Sequence, residues 1–360
     1  MDLCFKDALV ITGGGTGGHY YPAIALAEAA AERMPDRQII FVGAKRGIEA
    51  GKLPETRWQH LLLDVEGLSL RSPVKAFHAI RRMVESRHYL RTVWETERPL
   101  AVVGTGGYAA APALLAAKKL KVPYFIHESN AEPGLVTKLA AKRAARVWLG
   151  MEAAKRRLQK ADCLYVGTPI REAFLRPFKP VSTLAAPFRL LVLGGSGGAR
   201  AINEALLSIA PALLDAHADW EILHQTGNRE IERLSQVQHH QRHSVEPFLE
   251  NMDEEMEAAS LIISRAGAST CAELKAVGRP VVLVPFPASA GGHQKSNALA
   301  FVQEGRGAMV EQGPGFEDTL FRTLNGLMAD EASRLDFAKP EKNTAVANCL
   351  DDMAEVLGQM

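Results

Sequence analysis

Short apolar runs, glycine turns and helical periods alternate along most of this chain of 360 residues. Ala8–Thr12 (ALVIT) is a β-branched apolar run, the pattern of a strand buried on both faces of a parallel sheet. GGGTGGH follows at 13–19, and Pro22 marks the expected start of a helix, AIALAEAAAER, that stops before Pro35. Gln38–Val42 (QIIFV) then closes a βαβ unit. Leu100–Val103 runs into a second glycine turn, GTGGY at 104–108, and an Ala-rich helix is expected from about Ala109 to Lys119. Val122–Ile126 reads as a further strand, followed by a polar, turn-rich loop at 127–134 (HESNAEPG).

The stretch 167–187 holds four prolines and no clear period, and reads as a linker. Beyond it the pattern restarts with a strand at Phe188–Leu193, a glycine turn at 194–200 (GGSGGAR) and a helix at Ala201–Leu214. Repeated strand–helix alternation predicts an α/β chain, here two doubly wound halves in tandem with a cleft between them. The last residues, Thr344–Gln359, have helical periodicity.

Composition narrows the class. Lys and Arg number 42 against 41 Asp and Glu, a net charge of +1 that excludes a generally polybasic nucleic-acid binder. The four cysteines lie far apart without CxxC spacing, which fits a reducing compartment and excludes a disulfide scaffold or zinc site. The N-terminal MDLCFKD breaks its apolar character too soon for a signal peptide, and no apolar run approaches the ~18 residues of a membrane span. The chain reads as cytosolic and globular.

Candidate chemistry gathers at the turns. Gly13, Gly15 and Gly18 satisfy G-x-G-x-x-G, which brings backbone N–H groups and a helix N-terminus to a phosphate. Tight strand–helix packing explains the same glycines. A dinucleotide site asks for an acid about 20 residues on; the second strand ends Val42-Gly43-Ala44-Lys45-Arg46 instead, which disfavours NAD and leaves NADP open. His19 stands at the carboxyl end of the first strand, where a base could reach a substrate hydroxyl. In Leu261–Pro287 a strand leads through Arg265-Ala266-Gly267 into a helix expected to start near Ser269 or Thr270, an anion site by its free N–H groups. Thr270-x-x-Glu273 also matches a capping box, so cap and ligand contact both explain Glu273. His293 and Gln294 open another helix and suit a sugar or a cap; Arg171 suits a diphosphate or a plain surface position. Residues 71–98 carry seven Arg or Lys against three Glu, with Phe77, Ile80 and Val84 at helical spacing, the pattern of a membrane-surface helix or of an ordinary solvated one.

Taken together, GGGTGGHYYPAIALA, GTGGYAAAP, HESNAEPG, VGTPIREAF, LGGSGGARAIN, EPFLENMDEEMEAASLIISRAGASTCAEL and VPFPASAGGHQKSNA closely resemble the MurG family of peptidoglycan glycosyltransferases, in order, over residues 8 to 310. The resemblance implies a GT-B fold: two Rossmann-like doubly wound domains with an interdomain cleft. It places the first at 1–166 and the second at 167–343, with a final helix at 344–360 packing back on the first. It implies an inverting transfer of GlcNAc from UDP-GlcNAc to the C4 hydroxyl of the muramoyl sugar in undecaprenyl-diphospho-MurNAc-pentapeptide (lipid I). It also implies a peripheral place on the cytoplasmic membrane face beside other cell-wall synthesis proteins. By the same resemblance Thr16, Gly17, Gly18, Asn130, Arg171 and Ser196 line the donor site, and the Leu249 backbone reads the uracil. Ala268, Ser269, Thr270, Cys271, Ala272 and Glu273 hold diphosphate and ribose, and Gln294 the GlcNAc hydroxyls. Gly14, Gly15, Gly106, Gly107 and Tyr108 face the acceptor diphosphate, and His19 is the candidate general base. No D-x-D motif demands a metal, although Mg²⁺ could assist. Gly197 stands where members commonly carry Gln, and Arg82, Glu85 and His88 interrupt the expected apolar patch. The nearest alternative is a UDP-GlcNAc 2-epimerase-like protein, or a GT-B transferase with another acceptor.

Overall fold

The computed structural model describes residues 3–68, 72–195, 198–237 and 239–359; Arg71, Ser196 and Gly197 lie outside them. The chain divides into two units, Met1–Arg171 with Asn343–Met360, and Glu172–Lys342.

In unit 1, strands β1 (Leu9–Thr12), β2 (Ile39–Ala44), β3 (Gln59–Leu63), β4 (Ala101–Gly104), β5 (Tyr124–Glu128), β6 (Arg146–Leu149) and β7 (Cys163–Tyr165) form one parallel sheet. Their order is β3-β2-β1-β4-β5-β6-β7. The connecting helices are α1 (Gly17–Arg33), α2 (Ile48–Lys52), α3 (Pro73–Thr96), α4 (Ala111–Leu120) and α5 (Leu135–Ala140). Both faces of β1 are buried, which is why its sequence is continuously apolar rather than alternating. Pro22 does not start α1. The helix begins at Gly17, and Pro22 lies in its second turn, where it removes one backbone hydrogen bond and its ring crowds the Gly18 carbonyl. His19 therefore sits within the first helical turn rather than in a loop.

Unit 2 repeats the plan with β8 (Phe188–Leu193), β9 (Trp220–Gln225), β10 (His243–Glu246), β11 (Leu261–Ser264), β12 (Val281–Leu283) and β13 (Gly307–Met309). They are ordered β10-β9-β8-β11-β12-β13, again parallel. Its helices are α6 (Arg200–Ala216), α7 (Ile231–Ser235), α8 (Met252–Ala258), α9 (Ala268–Val277), α10 (His293–Gln303), α11 (Phe316–Ala329) and α12 (Glu331–Phe337). The last helix, α13 (Ala345–Gly358), belongs to unit 1 and joins an apolar cluster with α1 through Cys349, Leu350, Met353 and Val356. Asp352 secures it, accepting Trp148 Nε1–H at 2.7 Å and Arg146 Nε–H at 3.0 Å.

Unit 2 contains a buried histidine pair. His224 and His243 stack with centroids 5.5 Å apart. His224 Nε2–H donates to Asn203 Oδ1 at 3.0 Å, and Asn203 Nδ2 donates to the Thr226 carbonyl at 3.0 Å. Burial, and secondarily neighbouring imidazoles, push His224 down to about 3 and His243 to about 4. Unfolded histidine takes up its proton near 6.5, so the unfolded state binds protons first as the pH falls. Stability should be complete above that pH and decline below it, by about 2 kcal/mol per histidine at pH 5. Denaturant midpoints of unit 2 measured from pH 7 to 5 check this; a constant midpoint would contradict it.

Candidate functional site

Each sheet changes winding direction beside its first strand, and in open parallel sheets ligands bind in the crevice at the carboxyl ends there. In unit 1 the register pairs Thr12 with Gly104, so the 13–19 and 104–108 turns leave adjacent strand ends. In unit 2 Leu193 pairs with Ser264, so the chain leaves adjacent strand ends at Gly194 and Arg265.

The unit 1 turns interlock. The His19 and Tyr20 N–H groups donate to the Thr16 carbonyl, the N-cap residue of α1. His19 Nδ1 lies 2.9 Å from the Thr105 carbonyl. A carbonyl only accepts, so Nδ1 carries a proton, and in the neutral ring the lone pair is on Nε2. Thr105, fully buried, donates its hydroxyl in return to the His19 carbonyl at 2.7 Å. Gly107 has φ +76°, and a Cβ there would lie 2.2 Å from the Gly14 carbonyl oxygen, so only glycine lets the turns close. The Tyr108 ring lies against Gly15. The Gly15 N–H does not face outward; it donates to Glu49 Oε2 at 2.8 Å.

His127 and Glu128 are not loop residues: they end β5 and are buried. The expected loop starts at Ser129 because both side chains can be satisfied internally. His127 Nε2–H donates to the Gly167 carbonyl at 2.9 Å, the Ser129 hydroxyl donates to Nδ1 at 3.2 Å, and burial lowers the imidazole's pKa. Glu128 Oε1 takes the Asn130 N–H and Nδ2, while Oε2 takes the Gly134 N–H and the Thr137 hydroxyl. Glu128 thus orients Asn130. Arg171, exposed, ends the main stretch of unit 1.

In unit 2, α9 starts at Ala268 with Gly267 as N-cap, and no side chain caps it. The Thr270–Glu273 capping box is therefore not formed; Thr270 already lies inside the helix, one turn too far along. Ser269 Oγ is buried without a hydrogen-bond partner. Burial pushes the Cys271 thiol up to about 12, and its side chain belongs to the interior. Close by, a cavity of about 570 Å³ is lined by Gly194, Arg200, Glu204, Arg265, Phe286 and Gln294, among others; Glu204 pairs with Arg200 at 2.7 Å, not with Arg265. Gln294 Oε1 accepts the Phe286 N–H at 2.9 Å, which orients its amide. The Leu249 N–H is already committed to Gln225 Oε1 at 3.1 Å, so a base contact through it must displace that amide.

Sequence reasoning missed three residues: Thr105, Glu49 and Arg265. Arg265 donates to the Val284 carbonyl and to Gln312 Oε1, and lies over the Phe286 ring at 5.4 Å. Burial pushes its guanidinium down to about 10, still charged at neutral pH, and among the described residues no carboxylate pairs with it. A half-buried cation without an internal counter-charge, in the wall of a cavity, is suited to an anionic ligand. Among the described residues no group of three His, Cys, Asp or Glu side chains comes together that could hold a metal ion.

Two parallel sheets with glycine turns at their switch points define an α/β protein of GT-B architecture. The model of the glycosyltransferase family 28 N-terminal domain matches residues 9–149, and that of its C-terminal domain residues 189–353. A UDP-N-acetylglucosamine–N-acetylmuramyl-(pentapeptide) pyrophosphoryl-undecaprenol N-acetylglucosamine transferase from Geobacter sp. (strain M21) is 35% identical over 355 residues, 98% of this chain and 95% of that one. The protein of the same name from Carboxydothermus hydrogenoformans is 35% identical over 98% of this chain and 96% of its own. The crystal structure of Acinetobacter baumannii MurG superposes with a TM-score of 0.72 at 26% identity, covering 97% of this chain and 99% of that one. The chain belongs to glycosyltransferase family 28, and the resemblance to the MurG family read from its motifs holds.

Proposed function

We infer that this chain is an inverting N-acetylglucosaminyltransferase that moves GlcNAc from UDP-GlcNAc to the C4 hydroxyl of MurNAc in undecaprenyl-diphospho-MurNAc-pentapeptide, giving lipid II and UDP. The observation that carries this is identity of about one third, sustained over nearly the whole length, to transferases of that name. The site chemistry agrees with it. The His19 Nε2 lone pair takes the proton of the acceptor hydroxyl as its oxygen attacks the anomeric carbon. The bond from that carbon to the diphosphate oxygen breaks, and its electron pair leaves with UDP. The α9 N-terminus, the buried Ser269 hydroxyl and Arg265 supply the donors that meet the growing diphosphate charge. Thr16, Gly17, Gly18, Asn130 and Arg171 are the unit 1 residues that the family resemblance assigns to the donor.

Purified protein given UDP-GlcNAc, with and without a lipid I analogue, tests the reading. UDP release that requires the analogue supports it. Release from donor alone, with ManNAc or UDP-ManNAc, would make the chain an epimerase, and no release with either would end the proposal.

No helix among the described residues is long and apolar enough to cross a membrane. The acceptor's lipid nonetheless calls for a bilayer contact, and α3 offers one. Val74 and Phe77 are 66% and 65% exposed, and Ile80 and Val84 continue the apolar face beside Lys75, Arg81 and Arg87. The protein should sediment with anionic vesicles and Phe77→Glu should release it; equal sedimentation of the two would remove α3 from the contact.

A further inference from the structure

Glu49 is a buried carboxylate for which the transfer reaction provides no task. It lies on α2, 0% exposed, and among the described residues no Lys or Arg is paired with it. Its oxygens are spent on two backbone donors: Oε1 accepts the Ala44 N–H at 3.0 Å and Oε2 the Gly15 N–H at 2.8 Å. Missing side chains make its room. A Cβ on Gly14 would stand 2.3 Å from the Glu49 carboxyl carbon, one on Gly47 2.1 Å from Oε2, and one on Gly43 2.8 Å from Cγ. Burying a carboxylate is costly unless its hydrogen bonds are met, and here the pocket is shaped to meet them.

We propose that Glu49 is the positioning residue for the general base, holding the first glycine turn in the one place against which the second turn and His19 can be set. In a dinucleotide-type turn the Gly15 N–H would be left to cradle a phosphate; here a side chain of the protein takes it and braces the turn from within. The brace passes on by contact. A Cβ on Gly13 would stand 1.9 Å from the Thr105 hydroxyl, Gly14 O fills the space beside Gly107, and the Tyr108 ring closes over Gly15. Thr105 is the residue whose carbonyl fixes the Nδ1–H tautomer of His19. Loosening the Gly15 end frees the 104–108 turn, and with it the carbonyl that keeps the Nε2 lone pair available. This rests on the reading of His19 as the base, so the test includes a measurement that does not depend on turnover.

Glu49→Gln is nearly isosteric but sets an amide NH2 against one of the two N–H donors. Gly47→Ala reaches the same carboxylate from outside, and Gly47 has φ −91°, so alanine strains nothing there by itself. The full chain is used, with ¹⁵N NMR of the His19 imidazole, kcat and KM for both substrates, UDP affinity and thermal melting. Wild type should show one Nδ1–H tautomer. Both variants should show mixed tautomers and a kcat about tenfold to a hundredfold lower, as misplacement of a reacting group produces, with UDP affinity within about twofold. Unchanged tautomer and kcat overturn the proposal, as does a fall in kcat with the tautomer intact. A parallel loss of melting temperature, UDP affinity and kcat marks Glu49 as merely structural and also overturns it. If Glu49→Gln fails to fold, Gly47→Ala decides. Should wild type itself turn nothing over, the reaction reading falls, while the tautomer comparison still decides on Glu49.

Discussion

Replacing His19 by alanine is expected to lower kcat by about 10²–10⁴-fold, the range a positioned general base supplies, with UDP affinity held within about twofold. The expectation follows from one hydrogen bond. Because Nδ1 donates to the Thr105 carbonyl, Nε2 is the basic nitrogen without any rearrangement. His19→Asn separates base from brace: its amide nitrogen can take the place of Nδ1 and keep the bond to Thr105, yet it offers no basic lone pair. The asparagine variant should therefore be as slow as alanine. Near-normal turnover in it would mean that His19 only holds the two turns together, and the base would have to be sought elsewhere.

The second large effect belongs to Arg265. Its loss should reduce kcat/KM by about 10²–10³-fold, the cost of removing a preorganised donor from a developing anion. Arg265→Met keeps much of the apolar stem and so limits the packing lost, although it leaves the Val284 carbonyl and Gln312 short of a donor, at about 1–3 kcal/mol. Arg265→Lys keeps the charge as a compact point but loses the planar guanidinium whose Nη1 bonds both, so it should fall between the two. Calorimetry with UDP alone checks the assignment. If Arg265→Met binds UDP as wild type does, the cavity lined by Arg265 and Gln294 is not where the diphosphate lies.

What could be read from the sequence was local in origin. Glycine runs after β-branched strands announce strand–turn–helix units whatever the rest of the chain does, so GGGTGGH, GTGGY and the strand and helix flanking residues 194–199 were legible, as was the alternation that predicts two parallel sheets. Local rules also misled where tertiary contacts outweigh them. Pro22 is a good helix starter, yet α1 begins five residues earlier because Thr16 supplies its N-cap position. Thr270 is a good cap, yet Gly267 takes that position. His127 and Glu128 are polar and still end a buried strand, since the Gly167 carbonyl and the 129–137 segment satisfy them. The groups that tune the site were hidden for a different reason. Thr105 lies 86 residues from His19, and Glu49 lies 34 from Gly15, so no periodicity connects them. Arg265 stood in plain view within its turn; what makes it notable, a charge that no described carboxylate pairs with, exists only in the folded chain.

The return of α13 to unit 1 also has a meaning in time. A ribosome releases β1 long before α13, and between the end of the main stretch of unit 1 and its closing helix it must make all of Glu172–Lys342. At ordinary translation rates that interval is roughly 10–30 s. Throughout it, the apolar side of α1 awaiting Leu350 and Met353 stands bare, and the Trp148 indole N–H and Arg146 await Asp352. The nascent N-terminal half is thus a natural client for a chaperone, and a fragment stopped short of α13 would carry the same adhesive face for good. What is synthesised first here is finished last, and the protection of that half during birth depends on the pace of the ribosome.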